Sequence, residues 1–322
     1  MKQTRWGLLG AGWIATKTIA PAMHASTETI VQAVASRDQK RAQALNPISI
    51  YKTYDELIND PLVDAVYISL PNHLHCEWTI KALKAGKHVL CEKPFAMNLA
   101  EVELMVKTAR ESDLQLVEAV WSRWHPRMIR MVDYVKSGNI GDLISIDSSF
   151  TFPASIEGNY RLSPAMGGGA LFDIGVYPLH AIAALAGDNA KAVIQSCDVN
   201  FGPTGIDLTT KWSIRLGESI IGSGLASFEM PEDQTLIVRG EKQSVEMVGN
   251  QAFTSWHSPS TLRLGDHIEE FAAVDPYMLM IENFGKRING EDSWILPLET
   301  SLWVQKVGDQ LRMHGNNAIA KG

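Results

Sequence analysis

The chain has few of the features that mark a secreted, membrane-spanning or nucleic-acid-binding protein. Its 322 residues include only three cysteines, Cys76, Cys91 and Cys197, which are too scattered for a disulfide framework. There is no excess of basic residues, since the formal net charge is −7, so nucleic acid and anionic membranes are not expected partners. No repeat or low-complexity linker is present. These absences predict an ordinary globular protein of a reducing cytoplasm.

Long uninterrupted apolar stretches are also lacking. The longest, GALFDIGVYPLHAIAALAG, contains Asp173, Pro178 and His180, which argue against a membrane span. Near the N-terminus, two basic residues precede WGLLGAGWIA in a pattern that resembles a secretory signal, but glycines and Lys17 interrupt its apolar part. We therefore expect a cytoplasmic location and no contact with a membrane.

The pattern of apolar residues changes near residue 122, and the chain is longer than one hydrophobic core usually supports. Before that point, short apolar runs alternate with helical periods, which predicts a parallel sheet covered on both faces. After it, β-rich segments follow one another, which is typical of a largely antiparallel sheet. We predict an α/β chain with a doubly wound domain over residues 1–122 and an α+β domain over residues 123–322. The candidate strands of the first domain are 5–9, 29–35, 64–70, 87–91 and 114–120.

A glycine motif follows the first predicted strand directly and opens a helix. In WGLLGAGWIA, Gly10, Gly12 and Ala15 have the spacing G-x-G-x-x-A. Gly10 would permit the tight turn, Gly12 would let a pyrophosphate approach the backbone, and the helix N-terminus would hold the anion. Such a motif alone often marks only a turn, but here a second strand follows on schedule. The segment predicts a Rossmann dinucleotide site, with Trp13 and Ile14 as neighbouring contacts.

The end of the second strand decides which dinucleotide is preferred. NAD sites place a carboxylate there for the ribose 2′-hydroxyl, whereas NADP sites need a cation for the 2′-phosphate. The sequence VASRDQKRA puts Ser36 and Arg37 at this position, with Arg41 a turn later. Arginine suits a phosphate through its planar fork of donors. NADP is favoured, and Asp38 keeps NAD possible.

The loop SLPNHLHCE lies where ligands of open α/β sheets bind, at the carboxyl ends of the strands. We expect it to supply two apolar wall residues and two polar contacts to the cofactor: Leu70, Pro71, Asn72 and His75. Metal binding by the histidines and Cys76 is the rival interpretation, but their spacing fits no structural zinc pattern. We therefore predict no metal site.

A lysine stands between a carboxylate and a proline in VLCEKPFA, at the end of a predicted parallel strand. Pro94 cannot continue the ladder and does not allow a helix to begin at Lys93, so the strand ends there. An ammonium beside a nicotinamide would polarise a hydroxyl or lower a neighbour's pKa. The alternative is an exposed lysine paired with Glu92, which contributes little energy.

Three polar residues recur along the apolar segment GGGALFDIGVYPLH. If it is helical, Asp173, Tyr177 and His180 fall at i, i+4 and i+7, on one face. Polar groups on an apolar helix are costly unless they meet water, each other or a ligand. The segment therefore carries either site residues or a satisfied internal network.

Four motifs, GLLGAGWIA, EKPFA, EAVWSRWHP and GGGALFDIGVYPLH, occur in the order and spacing of the Gfo/Idh/MocA oxidoreductase family. The resemblance covers essentially the whole chain. Histidine often stands in the family where this chain has Tyr177. A tyrosine there resembles the branch of glucose–fructose oxidoreductases, NADP-dependent D-xylose dehydrogenases and dimeric dihydrodiol dehydrogenases.

The resemblance implies a Rossmann domain, an open-faced sheet in the second domain, and an active site between them. Lys93 and Tyr177 match the catalytic pair, in which the ammonium stabilises the phenolate and Tyr177 moves the hydroxyl proton. Glu92 joins the cofactor contacts. Asp173 and His180 would position the substrate or tune the pair. The expected substrate contacts are Trp121, Phe150 and Arg161.

The implied activity is hydride transfer between NADP and a hydroxyl or carbonyl of a sugar, sugar derivative or cyclic vicinal diol. Two other functions stay open on the same fold: a non-catalytic regulator that senses the dinucleotide, and a glycosidase that uses bound NAD for transient oxidation. The apolar run in SIIGSGLASF is compatible with a covered sheet face, so a homodimer or higher homo-oligomer is expected.

Overall fold

Two sheets organise the chain, one of six strands and one of eight. The computed structural model describes residues 2–154 and 160–319. One unit comprises Met1–Trp121 with Asp275–Leu298, and the other comprises Ser122–Val274 with Glu299–Gly322. From the sequence we predicted a domain boundary at residue 122, with residues 275–298 in the second domain. The structure groups residues 275–298 with the first unit instead.

The first unit contains a fully parallel sheet in the strand order 3-2-1-4-5-6, which is the Rossmann order. Its strands are β1 (Thr4–Leu9), β2 (Thr29–Ala35), β3 (Ser49–Tyr51), β4 (Ala65–Ile68), β5 (His88–Cys91) and β6 (Leu116–Glu118). Strands β1, β4 and β5 are almost wholly buried, as parallel strands covered on both faces must be.

Helices connect these strands and cover the sheet. They are α1 (Ala20–Ala25), α2 (Gln39–Ala44), α3 (Tyr54–Ile58), α4 (His75–Lys84) and α5 (Leu99–Ser112). A π-helical turn, Ala15–Ile19, leads into α1. Asn98 caps α5 by accepting the N–H of Glu101, whose own carboxylate accepts the N–H of Met97 at 3.0 Å.

A late helix, α8 (Pro276–Ile288), packs on the first unit. The ring of Phe284 lies 5.4 Å from that of Trp6 on β1, and both side chains are fully buried. The Ser26 hydroxyl donates to Glu282 at 2.7 Å. These contacts explain why the segment belongs to the Rossmann unit although its sequence follows the second sheet.

The second unit contains a mixed sheet in the order β14-β13-β12-β11-β7-β10-β9-β8. Only β7 and β10 pair in parallel among its described strands, and the other neighbours are antiparallel. The predicted fold class is therefore confirmed. The strands are β7 (Leu143–Thr151), β8 (Ala192–Phe201), β9 (Asp207–Leu216), β10 (Ile220–Ser227), β11 (Asp233–Gly240), β12 (Ser244–Val248), β13 (Ser260–Leu264) and β14 (His267–Phe271).

Helices α6 (Pro126–Lys136), α7 (Val176–Ala186) and α9 (Leu298–Ile319) complete the unit. A second π-helical turn, Leu171–Gly175, precedes α7. Among the described residues, the stretch Pro164–Ala186 alone is long and apolar enough to span a membrane, yet 94% of its apolar window is buried within the protein. That burial is expected of a core helix.

Candidate active site

The glycine loop after β1 has the geometry of a phosphate cradle. Gly10 adopts φ +96°, and a Cβ there would lie 3.2 Å from the Leu70 side chain and from Ser69 O. At Gly12, the nearest described neighbour of a Cβ would be Ser69 O, at 4.0 Å. A ligand can therefore approach the backbone at Gly12 closely, which fits a dinucleotide pyrophosphate. Trp13 is 68% exposed beside this loop.

The next residues turn the loop into a helix with a wider first turn. Ile14 is half-buried and Ala15 is fully buried against the sheet. The Thr16 N–H and hydroxyl both donate to Gly12 O, at 3.0 and 2.9 Å. The π-helical turn Ala15–Ile19 follows, a feature often found at functional sites.

The end of β2 carries the groups expected to select the cofactor. Arg37 is exposed, whereas Ser36 is buried and its Oγ accepts the N–H of Asp38 at 3.2 Å. Asp38 caps α2 by accepting the N–H of Arg41 at 3.1 Å, and it also pairs with the Arg41 guanidinium at 3.4 Å. Asp38, whose carboxylate would suit the ribose of NAD, thus caps the N-terminus of α2.

His75 is fully buried, and its ring nitrogens lie 2.8 Å from the carbonyl oxygens of Pro94 and Leu70. Burial lowers the pKa of His75 although both carbonyls oppose the shift. The imidazole therefore connects two loops at the sheet edge, and the cofactor contact expected of it stays a prediction. Asn72 is buried and Pro71 half-buried in the same loop.

Lys93 follows β5 with its side chain half-buried, and its peptide bond to Pro94 is cis. The preceding Glu92 is buried, which excludes the exposed Glu92–Lys93 surface pair considered from the sequence. One oxygen of Glu92 accepts the Tyr67 hydroxyl, and the other accepts the Lys93 N–H at 3.2 Å. Burial raises the pKa of Glu92 to about 7. Both of its carboxylate oxygens therefore have protein donors, and the cofactor contact expected of Glu92 stays a prediction.

In the second unit, Tyr177 belongs to a cluster of aromatic rings. Its ring centroid lies 5.4 Å from Phe150 and 5.9 Å from Phe253, and all three side chains are buried. Phe150 was expected from the resemblance. Phe253 was missed, because it lies in an irregular segment that carries no motif.

Asp173 and Arg161 form an ion pair at 2.6 Å. Burial alone would lower the pKa of Arg161, but the charge and hydrogen bond of Asp173, together with Tyr160 and Tyr177, outweigh it and raise the pKa. The carbonyl of Arg161 accepts the Gly169 N–H at 2.8 Å, so the pair fastens the glycine segment to the helix. Asp173 lies in the π-helical turn, whereas Tyr177 and His180 lie in α7, so the segment is not one regular α-helix from Asp173 onward.

His180 and Trp121 have structural partners. His180 is fully buried, and Arg123 donates to its backbone carbonyl oxygen at 3.2 Å; the site role expected for its imidazole stays a prediction. Trp121, in the first unit, is buried and stacks on Tyr277 with ring centroids 4.7 Å apart.

Asp207 carries a half-buried carboxylate that was not expected from the sequence. It accepts the Leu171 N–H at 2.7 Å and the Thr210 hydroxyl at 2.8 Å. Burial raises its pKa. No local pattern marks this residue, because its partner lies 36 residues away along the chain.

A metal ion has no evident place within residues 2–154 and 160–319, where no group of three or more His, Cys, Asp or Glu side chains is suited to hold one. The cradle at Gly12, the exposed Arg37 and the lysine at the end of β5 instead define a dinucleotide-dependent enzyme class.

Comparison with known proteins identifies the class more closely. Residues 4–119 match the model described as an oxidoreductase family with an NAD-binding Rossmann fold, and residues 128–246 match the GFO/IDH/MocA C-terminal domain. The chain belongs to the Gfo/Idh/MocA oxidoreductase family. The resemblance seen in the motifs is therefore confirmed.

Three relatives illustrate the similarity. Trans-1,2-dihydrobenzene-1,2-diol dehydrogenase of Mus musculus is 33% identical, over 74% of this chain and 72% of that protein. D-xylose 1-dehydrogenase (NADP(+)) 2 of Haloferax volcanii is 29% identical, over 95% of both chains. The crystal structure of KijD10, a 3-ketoreductase from Actinomadura kijaniata in complex with NADP and TDP-benzene, is 29% identical, with a TM-score of 0.88 over 97% of this chain and 98% of that one.

Proposed function

We propose that this protein is an NADP-dependent dehydrogenase or reductase acting on a sugar, a sugar derivative or a cyclic vicinal diol. The observation that carries the proposal is the open cradle at Gly10 and Gly12 in a chain similar, over 97% of its length, to an NADP-bound ketoreductase. The relatives named as xylose and dihydrodiol dehydrogenases support the same class of substrate.

NADP, when bound, supplies the hydride donor or acceptor. The backbone at Gly10 and Gly12 would hold its pyrophosphate, and Arg37 would hold its 2′-phosphate. Asp38 is committed to capping α2, which removes the carboxylate that an NAD site would use on the ribose. The Arg41 guanidinium is paired with Asp38, so Arg41 should contribute less than Arg37 to the preference for NADP.

Tyr177 is the proposed general acid and base, with Lys93 as its assistant. A free tyrosine has a pKa of about 10 and is a poor base at neutral pH. A nearby ammonium stabilises the phenolate, so Tyr177 Oη can accept the proton of a substrate hydroxyl or return it to a carbonyl. Within its own unit, the Tyr177 ring is fixed by Phe150 and Phe253, which leaves the hydroxyl as its reactive end.

A screen of substrates and cofactors tests this function. Aldoses, deoxy-keto sugars and vicinal diols are incubated with NADP, NADPH, NAD or NADH, and the absorbance of the reduced nicotinamide is followed. We expect turnover with at least one sugar or diol and a higher kcat/KM with NADP(H). Cofactor binding without turnover across the panel would favour a regulator. Release of an aglycone without net change in the cofactor would favour a glycosidase.

The homodimer and the cytoplasmic location stay predictions. Polar and apolar side chains alternate on β9 and β11, so one face of the eight-stranded sheet has a mixed outer surface that a second copy would cover. Sedimentation velocity on the full chain measures the oligomeric state directly.

A further inference from the structure

A buried chain of hydrogen bonds runs from the core of the Rossmann sheet to Lys93. Tyr67 on β4 is fully buried, and its hydroxyl donates to Glu92 Oε1. Glu92 Oε2 accepts the backbone N–H of Lys93 at 3.2 Å. Both carboxylate oxygens therefore have a donor, which is an arrangement suited to the ionised form.

The surroundings of this carboxylate divide into groups that favour its charge and groups that oppose it. Burial raises the pKa of Glu92 to about 7; the Tyr67 hydroxyl and Lys93 act in the opposite direction, and Glu118 on β6 adds to the rise. Cys91 on β5 interacts with both Glu92 and Tyr67, and Tyr277 on α8 faces Tyr67. Whether Glu92 is charged or neutral thus depends on a small number of hydrogen-bond donors and neighbouring charges.

We propose that Tyr67 is a positioning residue for Lys93: its hydroxyl keeps Glu92 ionised, and ionised Glu92 holds the backbone of Lys93 and offsets its ammonium. This inference rests on the proposed function only for its effect on turnover. Neutral Glu92 would lose the charge-assisted bond to the Lys93 N–H, so the reactive lysine would be held less firmly. The pair Tyr67–Glu92 would therefore couple ambient pH to the placement of Lys93.

The ionisation of Glu92 can be measured without substrate or cofactor. Infrared carboxyl absorption is titrated with pH in the full chain, in the wild type and in three variants: Tyr67→Phe, Glu92→Gln and Tyr51→Phe. We expect one carboxyl to titrate near neutral pH and to be lost in Glu92→Gln. Loss of a hydrogen bond to a charged group should move this midpoint upward by about one to two pH units in Tyr67→Phe.

Tyr51→Phe is the matched control. Tyr51 lies on β3 of the same unit, and its hydroxyl also donates to a carboxylate, Asp60, at 3.1 Å. This variant should leave the Glu92 midpoint unchanged. The inference would be overturned if the midpoint shifted equally in both tyrosine variants. It would also be overturned if the carboxyl that titrates near neutral pH in the wild type were still present in Glu92→Gln.

The effect on Lys93 has its own measurement. The rate of acetylation of Lys93 by acetic anhydride, followed by mass spectrometry, should change slope at the Glu92 midpoint and should follow that midpoint upward in Tyr67→Phe. If the acetylation rate of Lys93 shows no change of slope at the Glu92 midpoint, the positioning role is refuted. If Tyr67→Phe does not fold, replacement of the tyrosines by 3-fluorotyrosine, whose hydroxyl is a stronger donor, should lower the Glu92 midpoint, and an unchanged midpoint would refute the role of Tyr67.

Turnover separates this inference from the proposed function. If the chain is active, the acid limb of kcat should move upward in Tyr67→Phe by the shift seen in the infrared titration, with the Kd for NADP unchanged. An active enzyme whose acid limb stays in place contradicts the inference alone. If the infrared and acetylation profiles are as expected but no substrate is turned over, the positioning role of Tyr67 is supported and the proposed function is contradicted.

Discussion

The carboxylate of Asp207 accepts the backbone N–H of Leu171 at 2.7 Å, so a residue at the start of β9 caps the helical segment that carries Tyr177. The same carboxylate lies against Gly169, which adopts φ +122°. A Cβ on Gly169 would overlap Asp207 Oδ1. The glycine segment is therefore shaped to bring the N-terminus of the helical segment onto the Asp207 carboxyl group.

Gly169→Ala should destabilise the protein for two reasons, the glycine-only backbone conformation and the overlap with Asp207. Residues forced into such a conformation cost about 1–3 kcal/mol, and the overlap adds to that cost. Urea denaturation measures the loss. Gly138→Ala is the control, because Gly138 has φ +79° with no described atom within 4 Å of an added Cβ. Equal losses in both variants would mean that Asp207 does not constrain the segment.

Tyr177→Phe should lower kcat by about 10²- to 10⁴-fold, the usual contribution of a positioned acid or base. The ring contacts with Phe150 and Phe253 are kept, so stability and the Kd for NADP should stay near wild-type values. Tyr134→Phe is the control, because the Tyr134 hydroxyl on α6 accepts a hydrogen bond from Gln243 Nε2 at 2.8 Å and has no proposed role in catalysis. A Tyr177→Phe enzyme that retains most of its rate would contradict the acid–base role.

Arg37→Ala should weaken NADP binding by about 10- to 100-fold, because a hydrogen bond to a charged group contributes about 1.5–3 kcal/mol. NAD lacks the 2′-phosphate, so its Kd should change little. Fluorescence titration with both cofactors gives the ratio. Lys40→Ala, an exposed cation on α2, controls for loss of charge. A parallel loss of affinity for NAD and NADP would exclude selection at Arg37.

Much of the fold could be predicted because its signals are local. Five of the six strands of the Rossmann sheet are apolar runs, and the strand–helix alternation predicts that they are parallel. The edge strand β3 was not predicted: it has three residues, none of them buried. The assignment of α8 to the first unit could not be predicted either, because it depends on a contact between Trp6 and Phe284, far apart in sequence.

In the candidate site, too, some features could be predicted from the local sequence and others could not. Gly10 and Lys93 lie at strand ends, where their neighbours in sequence already predict a turn. His75 and His180 are both fully buried, and a sequence alone does not distinguish a buried histidine from a ligand-binding one. The π-helical turn at Leu171–Gly175 has no sequence signature, so the local helix geometry around Asp173 could not be predicted.

Asp64→Asn should lower stability by about 1 kcal/mol at neutral pH, because Asp64 forms a two-point ion pair with Arg5, with the Nη2–Oδ1 distance at 2.7 Å. Burial would raise the pKa of Asp64, but the bonds from Arg5 outweigh it and the pKa is lowered. A lowered carboxyl pKa stabilises the fold above the unfolded value, and this stabilisation is lost as pH falls through the folded value.

The difference in unfolding free energy between Asp64→Asn and wild type should therefore shrink as the pH is lowered below about 4. Denaturation at a series of pH values measures it. Glu103→Gln, on the exposed side of α5, is the control and should give no such trend. A difference that stays constant down to the acid limit would show that the Asp64 charge is not the source of the stabilisation.

The last prediction concerns whether Asp173 acts on substrate or on its own loop. Asp173 is largely buried and pairs with Arg161 at 2.6 Å, and Arg161 O holds Gly169, so we expect Asp173 to act through this pair. Asp173→Asn, Arg161→Gln and the double variant should then lower kcat by similar factors. The coupling energy from the cycle should be about 0.5–3 kcal/mol, as for residues in direct contact.

The matched control is the ion pair of Arg130 and Glu269, also at 2.6 Å in the second unit. Arg130→Gln and Glu269→Gln should change stability slightly without changing kcat, because neither residue contacts the segment before Tyr177. Kinetics and denaturation are measured on the same preparations. If Asp173→Asn abolishes turnover while Arg161→Gln leaves it intact, Asp173 contacts the reacting groups directly, and its ion pair with Arg161 is only a support.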